Sequence, residues 1–325
     1  MRAPEFWAQD GAVATFLQPL AWLYGVVGRL RRAWTTPWRA EVPVICIGNL
    51  VAGGAGKTPT ALAVGRRLLE RGVAAHYLSR GYGGRLAGPV RVDPSRQDAG
   101  DVGDEPLLLA AAAPTWVARD RVAGAKAAVA AGAGAIVMDD GFQNPGLAKD
   151  LSLLVIDDGY GLGNGRVHPA GPLREPAADG LARADGVVLL RTGGSASAPP
   201  RPPGRPVLEA RLMPRPEAAT LRGQRVLAFA GIGRPERFFR TVQELGAELV
   251  AYRAFADHHR FREDEIWALV EAARDQDAVP VTTAKDAARL PPPARAMVRV
   301  IDVDLEFVVP AELDRLLDRV AAPPS

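Results

Sequence analysis

The chain alternates between short apolar runs and longer segments in which apolar residues recur every three or four positions. Runs of four to six apolar residues predict buried strands of a parallel sheet, and the recurring pattern predicts helices that cover it. In the first 192 residues the predicted strands are 42–47, 73–78, 115–118, 135–140, 151–156 and 186–190. Predicted helices span 60–71 and 107–113, and a third ends at residue 131. This order predicts an α/β fold with a mostly parallel sheet flanked by helices.

A segment rich in proline and glycine, residues 193–206, interrupts this pattern. Such a composition favours neither helix nor strand, so we predict a linker there. After it, predicted strands at 225–230, 248–252, 279–282 and 298–303 alternate with predicted helices at 235–245 and 263–274. We therefore expect a larger domain at 41–192 and a second, smaller α/β domain at 207–325.

Residues 1–40 differ in character from the rest of the chain. Residues 11–28 are mostly apolar, arginines follow at 29–39, and four of the six tryptophans lie in the segment. Aromatic residues and arginines around an amphipathic helix favour a monotopic contact with an anionic membrane surface. Pro19 interrupts the apolar stretch, which is marginal for a membrane span, and no signal-peptide cleavage site follows it. The alternative is a buried helix that covers the edge of the sheet.

Composition excludes several classes of protein. The formal net charge of +3 is too weak to indicate a nucleic-acid partner, and the sequence indicates no obligate protein partner. A single cysteine, Cys46, excludes an intramolecular disulfide framework, and four scattered histidines do not suit a structural zinc site.

A glycine-rich loop connects the first predicted strand to the first predicted helix. Glycines there let backbone N–H groups surround phosphate oxygens, a lysine reaches the β- and γ-phosphates, and a threonine hydroxyl binds Mg²⁺. The motif predicts a P-loop NTPase-like domain that binds ATP and Mg²⁺, although Val51 replaces the first glycine of the usual pattern. The predicted phosphate-binding residues are Gly53, Gly54, Ala55, Gly56, Lys57 and Thr58.

Acidic residues follow two other predicted strands. Asp139 and Asp140 end a hydrophobic strand, which is how a P-loop protein presents carboxylates to Mg²⁺. Asp104 opens a predicted helix, and it has two interpretations that sequence spacing does not separate: an N-cap, or a catalytic carboxylate. In the predicted smaller domain, His258 lies beside a second histidine and an acid. We expect it to reach the site across the domain cleft.

The phosphate loop alone does not identify the acceptor of the phosphoryl group. If water is the acceptor, the protein is a membrane-associated P-loop NTPase switch; if an alcohol is the acceptor, it is a kinase. The carboxylate of Asp104 and the absence of a guanine-reading motif favour the kinase. In the segment 282–286, Lys285 is directly adjacent to Asp286, whereas a guanine-reading motif separates the two residues.

Several stretches, in this order along the chain, resemble the tetraacyldisaccharide 4′-kinase family, the lipid A 4′-kinases of Gram-negative bacteria. Together they are highly specific, and Val51 fits this family's own variant of the loop. Two positions depart from the family pattern: Asn144 replaces a histidine, and Ala284 replaces a glutamate. The resembling stretches are residues 48–59, 78–84, 103–106, 139–143, 169–175, 257–259 and 282–286.

The resemblance implies that ATP phosphorylates the 4′-hydroxyl of a tetraacyl disaccharide 1-phosphate during lipid A biosynthesis. It implies a peripheral or monotopic protein at the cytoplasmic face of the bacterial inner membrane. Asp104 would be the general base, assisted by His258, while Thr58, Asp139 and Asp140 would serve the metal. Three further residues would line the site with less certain roles: Arg121, Arg174 and Glu175.

Overall fold

The computed structural model of the protein describes residues 4–53, 56–193 and 204–321. Among these residues, nine strands form one sheet in the order β13-β8-β7-β6-β1-β5-β2-β4-β3. Neighbouring strands are parallel, except in the pairs β13–β8 and β3–β4. The strands are β1 (Val44–Gly48), β2 (Ala75–Ser79), β3 (Val90–Arg91), β4 (Thr115–Val117), β5 (Ala135–Asp139), β6 (Leu151–Asp157), β7 (Gly186–Arg191), β8 (Val207–Pro214) and β13 (Val303–Phe307).

A smaller sheet contains the other four strands of the described residues, in the order β10-β9-β11-β12. All its strand pairs are parallel. Its strands are β9 (Arg225–Ala230), β10 (Glu248–Ala254), β11 (Val279–Thr283) and β12 (Arg299–Ile301).

Helices cover the faces of both sheets, and 3₁₀ turns lie at Glu5–Trp7 and Pro216–Leu221. The helices are α1 (Ala12–Phe16), α2 (Gln18–Trp34), α3 (Lys57–Glu70), α4 (Ala99–Val102), α5 (Asp104–Ala110), α6 (Arg121–Ala130), α7 (Ala177–Arg183), α8 (Pro235–Glu244), α9 (Glu263–Arg274), α10 (Ala284–Ala287), α11 (Pro292–Arg295) and α12 (Pro310–Asp318).

Strand β1 lies in the middle of the larger sheet, between β5 and β6, and each of its five residues is buried. Ile45 and Ile47 pack into the core shared with α3 and α12, while Val44 and Cys46 pack into the core shared with α6 and α7. A strand covered on both faces needs apolar residues at every position, which is the pattern of the sequence. The predicted fold class is confirmed.

The division between the sheets differs from the expected boundary after residue 206. Strand β8, β13 and α12 follow that boundary in the chain, but β8 pairs with β7, and β13 pairs with β8. Helix α12 contributes Leu313, Leu316 and Leu317 to the core of the larger sheet. The predicted linker lies largely outside the described residues. The pattern of apolar residues does not record which sheet a strand joins.

Two arginines in the segment between β9 and β10 join the two sheets. Arg237 Nη2 donates to Asp157 Oδ1 at 2.7 Å, and Arg234 Nη1 donates to Asp157 Oδ2 at 3.0 Å. Asp157 ends β6 and is 7% exposed. Burial would raise the pKa of Asp157, but the two guanidinium groups hold that pKa below its ordinary value. The smaller sheet is therefore fixed at the carboxyl edge of the larger one.

The N-terminal helices contact the protein through small and polar side chains. Ala14 and Ala21 are buried, Gly25 faces Pro176, and Arg29 pairs with Asp179 at 2.6 Å. The large apolar residues of α1 and α2 instead face outward, with Phe16 84%, Trp22 68% and Trp34 81% exposed. Pro19 lies in the first turn of α2, where its missing N–H costs little, so it begins this helix instead of interrupting it.

This arrangement differs from the alternative of a buried edge helix, because large apolar side chains of α2, Trp22 and Trp34 among them, are exposed. None of the helices formed by the described residues combines the length and the hydropathy that crossing a bilayer requires.

Gly65 of α3 lets this helix approach β2. A Cβ atom built at Gly65 would lie 2.2 Å from the hydroxyl oxygen of the buried Tyr77. We expect Gly65→Ala to lower the free energy of unfolding by about 1–3 kcal/mol, because the packed core cannot accommodate the methyl group. Urea denaturation followed by circular dichroism measures this difference.

The matched control is Gly28→Ala in α2, where the nearest atom would be 3.6 Å from the new Cβ. That substitution should leave stability unchanged or raise it by up to about 1 kcal/mol, because alanine is the better helix former. Equal effects of the two substitutions would contradict the packing of α3 against β2.

Candidate active site

The carboxyl edge of the larger sheet holds the glycine-rich loop between β1 and α3. Gly53 and Gly56 have positive φ values of 70° and 91°, which glycine adopts without strain. Helix α3 begins at Lys57, directly after the loop. Gly54 and Ala55, which the sequence predicts to bind phosphate, lie outside the described residues. The loop and the first turn of α3 together form the type of site that binds phosphate groups.

Five side chains converge beside this loop. Thr58 Oγ1 donates to Asp139 Oδ2 at 2.9 Å, and Lys57 Nζ lies 3.9 Å from Asp140 Oδ1. Arg174 Nη1 donates to Asp140 Oδ1 at 2.8 Å. The structure therefore brings the predicted phosphate-loop residues, the two predicted metal-side acids and Arg174 together.

Asp139 is the carboxylate best suited to a divalent cation. It is 1% exposed, and its Oδ1 atom has no hydrogen-bond partner among the described residues. Burial, with the negative charges of Glu105 and Asp140, raises the pKa of Asp139 well above its ordinary value. A hard oxygen donor beside the Thr58 hydroxyl fits Mg²⁺, which prefers few protein ligands and keeps several waters. The described residues contain no group of three or more acidic, histidine or cysteine side chains that could enclose a metal ion.

Asp104 is the first residue of α5, and Gly103, with φ of 91°, is the N-cap. The side chain of Asp104 is 3% exposed and makes no capping hydrogen bond. His258 Nδ1, from the loop after β10, lies 3.2 Å from Asp104 Oδ2. Asp104 Oδ2 accepts no hydrogen bond from the described residues, so it keeps an acceptor position beside the imidazole. The geometry thus excludes the N-cap interpretation of Asp104.

Three neighbouring side chains keep the Asp104 carboxyl ionised despite its burial. Burial alone would raise the pKa of Asp104, but His258, Lys285 and Arg289 hold that pKa below its ordinary value. Lys285 Nζ and Arg289 Nε lie 3.9 Å and 3.7 Å from Asp104 Oδ2. An ionised, buried carboxylate with an unpartnered oxygen can accept a hydrogen bond from a hydroxyl group.

Lys285 is a site residue that sequence reasoning missed. Its Nζ atom lies 3.2 Å from Glu105 Oε1 and 3.4 Å from His258 Nε2. An ammonium group only donates, so His258 Nε2 accepts, and the imidazole proton lies on Nδ1, which faces Asp104. The signal was the segment 282–286, which resembles the family pattern and was also tested as a guanine-reading motif, although neither interpretation gave Lys285 a role. Lys285 therefore orients the histidine that orients the carboxylate.

Glu175 and Arg121 contact residues outside the glycine-rich loop. Glu175 is 2% exposed, and it pairs with Arg32 at 3.3 Å and with Arg183 at 2.8 Å. It therefore ties α2 to α7. Arg121 begins α6, is 4% exposed, and donates from Nη1 to the carbonyl oxygen of Ala118.

The two departures from the family pattern have local structural roles. Asn144 Oδ1 accepts from the backbone N–H groups of Gly146 and Leu147, at 3.0 and 3.2 Å. Ala284 begins α10, and Thr283 supplies the cap of that helix. Neither side chain contacts Asp104 or Asp139 through a hydrogen bond or ion pair.

We expect Lys285→Met to raise the pKa of Asp104, because it removes a nearby cation while the carboxyl stays buried. Carbon NMR titration of the side-chain carboxyl measures this pKa in the folded protein. The control, Lys126→Met, removes a lysine that lies over the Trp38 ring, and should leave the pKa of Asp104 unchanged. A lower or unchanged pKa of Asp104 in Lys285→Met would contradict the charge assignment.

Comparison with known proteins identifies relatives along nearly the whole chain. A model of the family described as Tetraacyldisaccharide-1-P 4′-kinase matches residues 13–322. A Tetraacyldisaccharide 4′-kinase of Rhodospirillum centenum is 58% identical over 98% of this chain and 96% of its own length. One of Rhodospirillum rubrum is 54% identical over 98% of both chains.

A solved structure has the same fold. The crystal structure of an "apo" form of LpxK from Aquifex aeolicus in complex with ATP superposes with a TM-score of 0.76. It covers 95% of this chain and 99% of the Aquifex chain, at 24% sequence identity. The resemblance drawn from the sequence motifs is thus confirmed along the length of the chain. The protein belongs to the tetraacyldisaccharide-1-P 4′-kinase family, a family of phosphotransferases.

Proposed function

We propose that the protein transfers the γ-phosphoryl group of ATP to the 4′-hydroxyl of a tetraacyl disaccharide 1-phosphate. The observation that carries this proposal is Asp104, a buried, ionised carboxylate whose Oδ2 atom is unpartnered among the described residues. This oxygen lies beside His258, Lys285 and Arg289 but accepts no hydrogen bond from them, so it suits the orientation of an acceptor hydroxyl. Family membership supports an alcohol as the acceptor instead of the water of an NTPase switch.

The nucleotide would bind at the glycine-rich loop. Lys57 and Thr58 lie at the N-terminus of α3, where the helix dipole and the backbone N–H groups favour phosphate. The Aquifex relative with the same fold was crystallised in complex with ATP. The proposed ATP site of this chain includes Gly54 and Ala55, on the evidence of the motif.

Thr58 and Asp139 would hold Mg²⁺, and Asp140 lies close enough to assist. When bound, this ion would neutralise negative charge on the β- and γ-phosphates of the nucleotide. Asp139 is our choice for the direct ligand, because Asp140 already accepts a hydrogen bond from Arg174. Arg174 would then act on the phosphates through its position beside Asp140.

Besides neutralisation of the phosphate charge, the chemical step needs a proton acceptor and correct placement. The 4′-hydroxyl donates its proton to Asp104 Oδ2 while its oxygen forms a bond to the γ-phosphorus. The bond between the γ-phosphorus and the oxygen that links it to the β-phosphate breaks, and ADP leaves with the electrons of that bond. The pKa of Asp104 is below its ordinary value. The carboxylate therefore takes the proton late, once the hydroxyl oxygen shares an electron pair with phosphorus. His258 and Lys285, from the smaller sheet, hold the carboxylate in place, so the site is complete only when both sheets contribute.

The acceptor would reach the site from a membrane surface. The outward faces of α1 and α2 carry exposed apolar side chains beside a row of arginines, a combination that suits the interface of an anionic bilayer. We propose a peripheral or monotopic attachment at the cytoplasmic face of the bacterial inner membrane. The exposed apolar residues are Val13, Phe16, Leu20, Trp22, Leu23, Tyr24, Val27, Leu30 and Trp34.

Asp104→Asn should lower kcat for transfer by about 10²–10⁴-fold, because the amide cannot accept the proton. The Kd for ATP should stay within about twofold, since Asp104 does not contact the phosphate loop. Radiolabel transfer to the acceptor lipid and equilibrium nucleotide binding measure the two quantities. Asp93→Asn, a surface substitution beside Ser95, is the control and should leave both quantities unchanged. A normal kcat in Asp104→Asn would contradict its role as the base.

Trp22→Ser should weaken binding to vesicles that contain anionic phospholipid, because the exposed indole would lie in the interface. Vesicle co-sedimentation measures the bound fraction. The matched control is Trp267→Ser. This side chain is also exposed, but it lies on α9, a helix that packs against the smaller sheet. Equal binding of the two variants would contradict the assignment of α2 to the membrane.

A further inference from the structure

Asp286 is a fully buried carboxylate to which the proposed chemical step gives no role. It lies on the short helix α10, next to Lys285. Its Oδ1 atom accepts from the backbone N–H of Gly231 at 3.1 Å and from Arg289 Nη2. Its Oδ2 atom accepts from Thr283 Oγ1 at 2.7 Å. Three donors therefore meet at this one carboxylate.

Arg289 contacts Asp286 and also faces the proposed base. Its side chain is 5% exposed, and its Nε atom lies 3.7 Å from Asp104 Oδ2. At this distance the guanidinium group helps to hold down the pKa of Asp104 without donating a hydrogen bond to it. Among the described residues, Nε and Nη1 of Arg289 have no hydrogen-bond acceptor, and Asp104 Oδ2 has no donor. A buried cation and a buried anion thus face each other with an unfilled donor and an unfilled acceptor.

The gap between Arg289 and Asp104 is maintained against their attraction. A guanidinium group and a carboxylate are most stable when they share hydrogen bonds, and a shift of about 1 Å would bring these two within hydrogen-bond distance. Arg289 Nη2 is instead bound by Asp286 Oδ1 and by the carbonyl oxygen of Gly231, at 3.0 Å from the latter. The ring of Phe261 also lies beside the guanidinium group, 5.9 Å from its central carbon. Two carboxylates therefore compete for one arginine, and Asp286 has the hydrogen bond.

The surroundings of Asp286 favour the charge that this competition requires. Burial raises the pKa of Asp286 above its ordinary value, but the donors Arg289, Thr283 and Gly231 each oppose that rise. All three donate to the carboxylate oxygens, so they stabilise the ionised form.

Gly231 links the same arrangement to His258. The carbonyl oxygen of Gly231 accepts from the backbone N–H of His258 at 3.0 Å. His258 has a φ of 57°, which residues other than glycine seldom adopt, so its turn depends on such contacts. A Cβ atom built at Gly231 would lie 3.2 Å from Asp286 Oδ1, so this turn packs closely against the carboxylate.

We propose that Asp286 is a positioning residue that holds Arg289 away from Asp104 Oδ2, so that this oxygen stays open for the hydroxyl group of the acceptor. Asp286 acts on Asp104 through Arg289. The charge of Arg289 stabilises the ionised form of Asp104, whereas a hydrogen bond from Arg289 would occupy the oxygen that accepts the proton. The proposal rests on the proposed function, because only a base needs this oxygen to be open.

Asp286→Asn removes the competing charge and nearly keeps the shape of the side chain. We expect Arg289 to move onto Asp104, which should lower the pKa of Asp104 below its wild-type value and lower kcat about tenfold or more. KM for ATP should stay within about twofold, because the phosphate loop is unchanged. Carbon NMR titration of Asp104 and radiolabel transfer to the acceptor lipid measure these quantities.

The matched control is Asp150→Asn. Asp150 also accepts from a backbone N–H group, that of Val44 at 2.9 Å, and also pairs with an arginine, Arg39. It lies where β1 begins, whereas the loop with the proposed phosphate site follows the end of β1. This substitution should leave both the pKa of Asp104 and kcat unchanged.

Arg289→Met distinguishes positioning from a loss of packing. In the Asp286→Asn background it removes the guanidinium group that would block Asp104, so the double variant should have a higher kcat than Asp286→Asn alone. A purely structural role of Asp286 predicts a further loss instead. A double variant that is no more active than Asp286→Asn would overturn the proposal. An Asp104 pKa in Asp286→Asn at or above the wild-type value would overturn it as well.

A measurement without ATP separates this proposal from the proposed function. NMR couplings transmitted across hydrogen bonds should connect Arg289 with the carboxyl carbon of Asp286 in the wild type, and with that of Asp104 in Asp286→Asn. A wild-type coupling between Arg289 and Asp104 would overturn the proposal, and this arm does not depend on any variant that must fold. If Arg289 moves as expected but kcat is unchanged, the restraint on Arg289 stands and the assignment of Asp104 as the base is wrong.

Discussion

The contact between Asp104 and His258 is the interaction on which the site depends, because it joins groups from the two sheets around one buried carboxylate. Burial favours the neutral form of a carboxyl group, but His258, Lys285 and Arg289 hold the pKa of Asp104 below its ordinary value. All three side chains belong to the part of the chain that forms the smaller sheet. At another point of the carboxyl edge, two arginines that follow β9 of the smaller sheet donate to Asp157 of the larger sheet. These contacts fix the position of one sheet relative to the other. The ionisation of the proposed base therefore depends on the packing between the two sheets.

The sequence was sufficient to predict the elements that follow local rules. Strand β1 is apolar throughout because it is covered on both faces, and the phosphate loop is recognisable because only glycine adopts its backbone angles without strain. The convergence of Asp139 and Thr58 followed from the parallel order of β1 and β5. Each of these predictions needed only the chain within a few residues and the general geometry of parallel sheets.

Long-range pairing was beyond sequence patterns. Strand β8 joins the larger sheet although the segment before it was predicted to be a linker, and nothing in its alternation of residues records its partner. Lys285 could not be assigned for the same reason: its contacts with Glu105 and His258 cross from one sheet to the other. The outward face of α2 was expected as one of two alternatives, and the exposure of Trp22 distinguishes it from a buried edge helix.

The central claim is that a lipid hydroxyl, and not water, accepts the phosphoryl group. The most direct measurement follows the label of γ-labelled ATP in micelles that contain tetraacyl disaccharide 1-phosphate, with Lys57→Ala as the reference for loss of phosphate binding. The account predicts label in the lipid that disappears with Lys57→Ala. Label found only as free phosphate, with authentic acceptor present, would contradict it.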